Sequence, residues 1–102
     1  MGSSIMETQV IITFKLKSDQ VDAFKEHIRK LIPDTRSFEG CKDVGFYFNS
    51  DDETDLIVFE TWESRAQYEK YFNWRTETGG LNAIASYMAE EPNLRYLTKS
   101  DI

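Results

Sequence analysis

Residues 10–17 read VIITFKLK, a β-branched run in which Val10, Ile12, Phe14 and Leu16 fall on one side, the period of a strand. The period then changes. Val21, Phe24, Ile28, Leu31 and Ile32 are spaced as one helix face, while Asp22, Lys25, Glu26, Arg29 and Lys30 fall on the wet side. Ser18 is the expected cap at the start of this helix, and Pro33 is expected to end or kink it. After Gly40, DVGFYFN (43–49) and DLIVFETW (55–62) read as two strands of a hairpin joined by the polar SDDET (50–54). Ser64 with Gln67 makes a capping box for a second helix that reaches about Arg75. TETGG breaks that helix, LNAIASYMAEE (81–91) is expected to form a shorter one, and after Pro92 a last strand covers NLRYLT (93–98).

The predicted order, β-α-β-β-α-(α)-β, is that of an α+β fold: the ferredoxin-like split βαβ sandwich, with two main helices on one face of a four-stranded antiparallel sheet. Two helices leave the other face of the sheet bare. VIITF and LIVF are nevertheless apolar on both parities, as strands covered on both sides are. A second copy of the same sheet is the simplest cover, so a homodimer is expected.

Composition narrows the partners. Twelve Lys and Arg against eighteen Asp and Glu give a net charge of −6, which repels phosphate backbones and makes nucleic acid an unexpected partner. No apolar run approaches the roughly 18 residues that span a bilayer, no secretion signal opens the chain, and the single cysteine, Cys41, cannot close an internal disulfide. The expected setting is the cytoplasm, away from membranes. The opening MGSSI reads as a tag remnant or frayed tail with Met6 as a natural start, so residues 1–7 are set apart from a single domain over 8–102. One His and one Cys fourteen residues apart make no metal ligand set, SDDETD lacks the central Gly of a calcium loop, and Gly79-Gly80 is a helix stop rather than a phosphate cradle. No metal or cofactor is expected.

The order of elements, together with TRSFEGC (35–41), the hairpin and ETWESRAQYEKY (60–71), resembles the antibiotic biosynthesis monooxygenase domain. Its outline is a strand, a helix ending in Ser/Thr-Arg-x-x-x-Gly-Cys, a hairpin ending in Glu-x-Trp and a helix opening on Ser or Asp; here these fall on Arg36, Gly40, Cys41, Glu60, Trp62 and Ser64. The likeness runs from about residue 8 to residue 98. It implies a dimeric α/β barrel with a small pocket between helices and sheet in each protomer. Activities in this family include cofactor-free oxygenation of phenols and quinols, haem degradation and isomerisation of small molecules, and some members have none known. The chain departs from its relatives at informative places. Tyr71 and Thr76 stand where quinol-oxidising members carry His, and Val58 where polyketide oxygenases carry Asn. Thr13, Tyr71 and Leu81 stand where haem degraders carry Asn, Trp and His, which excludes haem ligation by that route.

The segment ETWESRAQYEKYFNWR (60–75) carries the candidate site. On a helix, Tyr68, Tyr71, Phe72 and Arg75 share one face with Gln67 and Trp74 on its flank. Tyr68 and Phe72 fit core packing, whereas a phenol and a guanidinium turned inward, Tyr71 and Arg75, must each find hydrogen-bond partners. Trp62 is either a pocket wall, where the resemblance puts it, or packing at the strand's end. His27, the sole histidine, flanks the first helix's apolar stripe and is the default general base because it titrates near neutrality. The expected catalytic residues are therefore Tyr71 and His27. Trp62, Tyr68, Trp74, Arg75 and Thr13 are the expected contacts to a small aromatic ligand. The activity that follows is cofactor-independent monooxygenation of a phenol, quinol or polyketide-like aromatic; a non-catalytic binding module and an isomerase of a small carbonyl compound use the same pocket.

Overall fold

The computed structural model describes residues 7–102, so the tail expected over residues 1–7 lies, except for Glu7, outside the described residues. Its elements are β1 (Thr8–Lys15), α1 (Val21–Ser37), β2 (Cys41–Asn49), β3 (Asp52–Trp62), α2 (Arg65–Glu77), α3 (Gly80–Ala85) and β4 (Asn93–Leu97). One antiparallel sheet runs β2-β3-β1-β4, with β1 at its middle pairing β3 on one side and β4 on the other. This is the split βαβ plan, and the helices cover a single face. No described helix is long and apolar enough to cross a membrane.

Alternation along the strands sorts the two faces. Val10, Ile12 and Phe14 of β1 stand opposite Glu60, Val58 and Leu56 of β3, and Val44 and Phe46 of β2 continue the rows. Against these, α1 sets Phe24, Ile28 and Ile32, which are buried as its stripe requires.

Several boundaries differ from the expected ones, each for a local reason. Ser18 does not cap α1: a turn closed by the Gln20 amide on the Lys17 carbonyl occupies Ser18 and Asp19, and Gln20 takes the cap position without a side-chain bond. Pro33 does not end the helix, which continues to Ser37; Pro33 and Arg29, the residue whose carbonyl it leaves without a helical donor, are both exposed, so water is at hand. The hairpin is tighter than SDDET implied. Asn49 pairs with Asp52, so Ser50 and Asp51 alone form the loop, and the Asp52 carboxylate accepts from the Thr54 amide and hydroxyl. The helix expected over 81–91 stops at Ala85, because the following residues bond to the end of β1: Lys17 donates to the Tyr87 carbonyl and Ala89 to that of Lys15. Ser64 caps α2 as its pairing with Gln67 implied, its hydroxyl accepting from the Gln67 amide.

The TRSFEGC stretch has a structural logic. Arg36 donates from Nη2 to the Val44 carbonyl, tying the end of α1 to β2. Gly40 has φ +92°, and a Cβ there would lie 2.6 Å from the Gln67 side chain, so both backbone and packing demand glycine.

Candidate functional site

The end of β3 places Leu56, Val58, Glu60 and Trp62 on the helix-facing parity. Alternation thus drives a carboxyl group into the interior, and Glu60 is only 5% exposed. The Trp62 indole, fully buried, donates to Glu60 Oε1 at 2.8 Å, so the i, i+2 pair satisfies part of its own polarity. Glu-x-Trp is in this chain a hydrogen-bonded unit on one strand face.

Opposite it, α2 presents Tyr71 and Arg75, one turn apart, to the end of α1. Arg75 donates from Nε to the Tyr71 hydroxyl at 2.9 Å and from Nη2 to Thr35 Oγ1 at 2.8 Å and the Leu31 carbonyl at 3.0 Å. The two hydroxyls of Thr35 and Tyr71 are 2.7 Å apart. All these acceptors are neutral, which leaves the guanidinium charge uncancelled by them inside the fold. Around this network the rings of Phe38, Trp62, Tyr68 and Tyr71 pack edge-on or tilted, with Trp62 and Tyr71 centroids 5.1 Å apart.

Between sheet and helices lies a cavity of about 420 Å³. Ile12, Phe14 and Val58 form its floor, Ile28 and Leu31 of α1 one wall, and Leu81 and Ile84 of α3 another. Its polar lining is sparse: Thr35, Glu60, Tyr71 and Asn82, beside the phenol of Tyr68. This is the form of a small-molecule site, apolar with a few placed polar groups.

Burial governs the acidities here. It pushes the Glu60 carboxyl from its ordinary 4.5 up to about 7, against the opposing pull of the Trp62 N–H and the Arg75 charge. It also raises the Tyr71 phenol in spite of the bonds from Thr35 and Arg75, and raises Tyr68, with the Glu60 charge adding to the effect. Cys41, beside the same carboxyl, is pushed up to about 11 by burial first and by Glu60 next, so it stays a thiol.

The predicted residues divide by position. Tyr68 and Tyr71 line the cavity; Trp62 and Arg75 stand directly behind them; Trp74 is half-buried, packed on Phe38 with the Arg75 guanidinium 4.6 Å from its ring. Thr13 and His27 are not brought to this group. Thr13 has the parity of Ile11 and Lys15, on the sheet face away from the helices, and His27 packs at a tilt on Tyr87 with centroids 5.5 Å apart, outside the cavity lining. Phe72 differs from a core ring: it lines the cavity yet is 37% exposed, at the cavity's rim. Two residues of the site were not singled out from the sequence, Glu60 as a group with chemistry and Thr35. The signals existed. Glu60 shares its parity with Leu56 and Val58, and Thr35 lies three residues beyond Ile32 and seven beyond Ile28 on the buried stripe. Among the described residues, no three His, Cys, Asp or Glu side chains gather as a metal site would require.

Comparison with known proteins bears on the family and the fold. A family model described as antibiotic biosynthesis monooxygenase matches residues 9–76. In fold, the chain is similar to a conserved protein from Methanosarcina mazei Go1, with a TM-score of 0.85 and 19% identity over 94% of this chain and 95% of that one. It is similar as well to a solved antibiotic biosynthesis monooxygenase, with a TM-score of 0.82 and 17% identity over 91% and 98% of the two chains. A protein from Mycobacterium tuberculosis superposes with a TM-score of 0.72 and 22% identity over 94% and 97%. No curated protein sequence matches the chain. At these identities the structural likeness speaks for the fold, whereas the family model covers well over half of the chain, which therefore belongs to the antibiotic biosynthesis monooxygenase family.

Proposed function

We propose that the protein is a cofactor-independent monooxygenase acting on a small phenol, quinol or polyketide-like aromatic. The observation that carries this reading is the cavity itself: about 420 Å³, apolar on floor and walls, with the Glu60 carboxyl and the hydroxyl-bearing Thr35, Tyr68 and Tyr71 in its lining, in a chain of this family. Oxygenation without a cofactor requires the substrate to supply the electrons, so the protein's work is to bind an electron-rich ring, exclude water and manage one proton. Tyr68 and Phe72 offer ring faces, and Tyr71 with Thr35 offers hydroxyls backed by the Arg75 charge to an oxygen on the ring. Trp62 and Trp74 act from behind as support.

A homodimer is part of the proposal. The sheet face away from the helices carries Tyr47 at 63% exposure, Ile57 at 42% and Leu97 at 37%, an apolar surface that a second sheet would cover. Light scattering should return about twice 11.9 kDa. A cytoplasmic setting is consistent with the unpaired Cys41.

The departures at Tyr71, Thr76 and Val58 favour a second reading, a binding module or isomerase that keeps the pocket without oxygenase chemistry. Oxygen consumption with a panel of hydroquinones and naphthohydroquinones separates the two. The monooxygenase reading expects uptake that saturates with substrate and persists in chelator. Ligand binding with no uptake across the panel leaves the second reading.

A further inference from the structure

Among the described residues Glu60 is the one carboxylate that lines the cavity, and its two oxygens are not equivalent. Oε1 is held by the Trp62 indole at 2.8 Å, which fixes the plane of the carboxyl. Oε2 has no hydrogen-bond partner among the described residues. Nor is it walled in: among the described residues the fully enclosed side-chain atoms without a partner are Gln9 Oε1 and His27 Nε2, so open space adjoins Glu60 Oε2. A buried carboxylate oriented by one oxygen and vacant at the other is built to receive a hydrogen bond from whatever fills the cavity.

The network across from it supplies the complement. The hydroxyls of Thr35 and Tyr71 use one of their two hydrogens on each other, and each oxygen accepts from Arg75. One hydroxyl hydrogen is left over, and rotation lets either oxygen present it to the cavity. The lining thus offers one strong acceptor and one donor backed by a positive charge.

We infer that Glu60 is the proton acceptor of this site: its Oε2 takes the hydroxyl proton of a small phenol bound in the cavity, while the spare hydroxyl hydrogen of the Thr35–Tyr71 pair, backed by Arg75, holds an oxygen of the same ligand. The inference rests on the small-aromatic reading above and deepens it. In the step, the ligand O–H bond breaks and an O–H bond forms on Glu60. The negative charge moves from the carboxylate to the ligand oxygen, and no electron leaves the pair of partners. The phenolate so formed is the electron-rich species that oxygenation needs. Burial of the carboxyl brings its acidity towards that of a phenol, which narrows the gap the proton crosses.

The groups that face Glu60 do not confuse its titration. From β2 comes Cys41, from α2 come Tyr68, Tyr71 and Arg75, and β4 brings Tyr96, which stands opposite Val10 in the same cross-strand row; Val10 of β1, Thr35 of α1 and Leu94 of β4 do not titrate. The thiol and the phenols are all raised from their ordinary values, so between pH 6 and 8 Glu60 is the member of this set that changes charge.

The test uses two fluorescent probes that differ by one proton, 2-naphthol and 2-methoxynaphthalene, bound to the full chain from pH 6 to pH 8. Phenols ionise near pH 10, so free naphthol stays neutral over about this range. The inference expects naphthol affinity to rise about tenfold as Glu60 ionises, the methoxy probe to show no such rise, and Glu60→Gln to bind naphthol weakly and without pH dependence. The two probes on the parent protein decide the matter even if the variant folds poorly. Naphthol affinity that is flat with pH, or the same rise in Glu60→Gln, overturns the role of Glu60 and leaves the aromatic pocket standing. Binding of neither probe overturns the pocket and the inference together. The expected pH dependence without oxygen uptake on any quinol upholds Glu60 and sinks the monooxygenase reading alone.

Discussion

The interface between helices and sheet has two halves of different chemistry. In one, Phe14, Leu16, Phe24, Ile28, Ile32, Val44, Leu56 and Val58 form an apolar cluster. In the other, Val10, Trp62, Tyr68 and Tyr71 pack around Glu60, Arg75 and Thr35, all of them buried. The first half is held by area removed from water and is tolerant of the direction from which each side chain arrives. The second holds a carboxylate, a guanidinium and two hydroxyls that must each be met at a set distance and angle. The cavity draws its apolar floor from the first and its polar lining from the second, so a fold that needed only stability had no use for the second half as it is built.

The largest expected effects test whether the halves bear equal structural weight. Phe24→Ala and Trp62→Ala each remove a fully buried ring and should each destabilise by about 3–5 kcal/mol in urea unfolding. They should part on ligand binding. Trp62→Ala also strips Glu60 Oε1 of its donor and should lose 2-naphthol binding, while the Phe24 variant, studied where it is still folded, should keep it. Equal binding by both would erase the distinction between the halves.

Next in size is an effect of opposite sign. Folded Glu60 keeps its proton to about pH 7, whereas in the unfolded chain it ionises near 4.5. Between those values the folded chain binds more protons than the unfolded, so its stability falls as pH rises through the window and levels off above it. At about 1.4 kcal/mol per pH unit the loss is about 3 kcal/mol. Glu60→Gln keeps an acceptor for the Trp62 indole and has no charge to bury. It should show no such decline and be more stable than the parent by up to about 3 kcal/mol at pH 8, as expected where a site trades stability for chemistry. Denaturant midpoints from pH 4.5 to pH 8 measure both. A parent whose stability is flat across that interval would mean that Glu60 is not held in a desolvated state.

The two halves were also unequally legible in the sequence. Strand and helix periods announced the apolar cluster almost residue by residue, since Phe14, Leu16, Phe24, Ile28 and Ile32 each repeat at 2 or 3.6. Tyr68, Tyr71 and Arg75 were equally legible, because a helix face is a local property. Glu60 and Thr35 sit on the same periodic faces, but hydropathy reads a carboxyl or a hydroxyl as an interruption of the pattern rather than a member of it. Their meaning depends on partners 15 and 36 or more residues away in the chain, Arg75 for Glu60 and Tyr71 and Arg75 for Thr35. Turns misled for other reasons: Ser18 lies in a local turn closed by Gln20 on Lys17, Pro33 is exposed where water can serve the freed carbonyl, and the residues after Ala85 follow hydrogen bonds to distant backbone, such as Ala89 to Lys15, that no local pattern announces.

The smallest structural change gives the sharpest comparison. Tyr71→Phe keeps the ring against Phe38 and Trp62, at centroid distances of 5.4 and 5.1 Å, and removes only the hydroxyl. Thr35 Oγ1 and the Leu31 carbonyl still accept from Arg75 Nη2, so the guanidinium stays anchored and only its Nε loses a partner. The stability lost should be about 1 kcal/mol, less than for any ring deletion in either half. Its functional effect should be larger than its structural one. With Tyr71 silent, the spare hydrogen can come only from Thr35, and the ligand oxygen loses one of its two possible donors. Naphthol binding at pH 8 should weaken by about tenfold, the equivalent of one charge-assisted hydrogen bond. If the variant loses its 1 kcal/mol and binds naphthol as tightly as the parent, Tyr71 belongs with Phe24 as packing, and the polar half of the interface ends at Arg75.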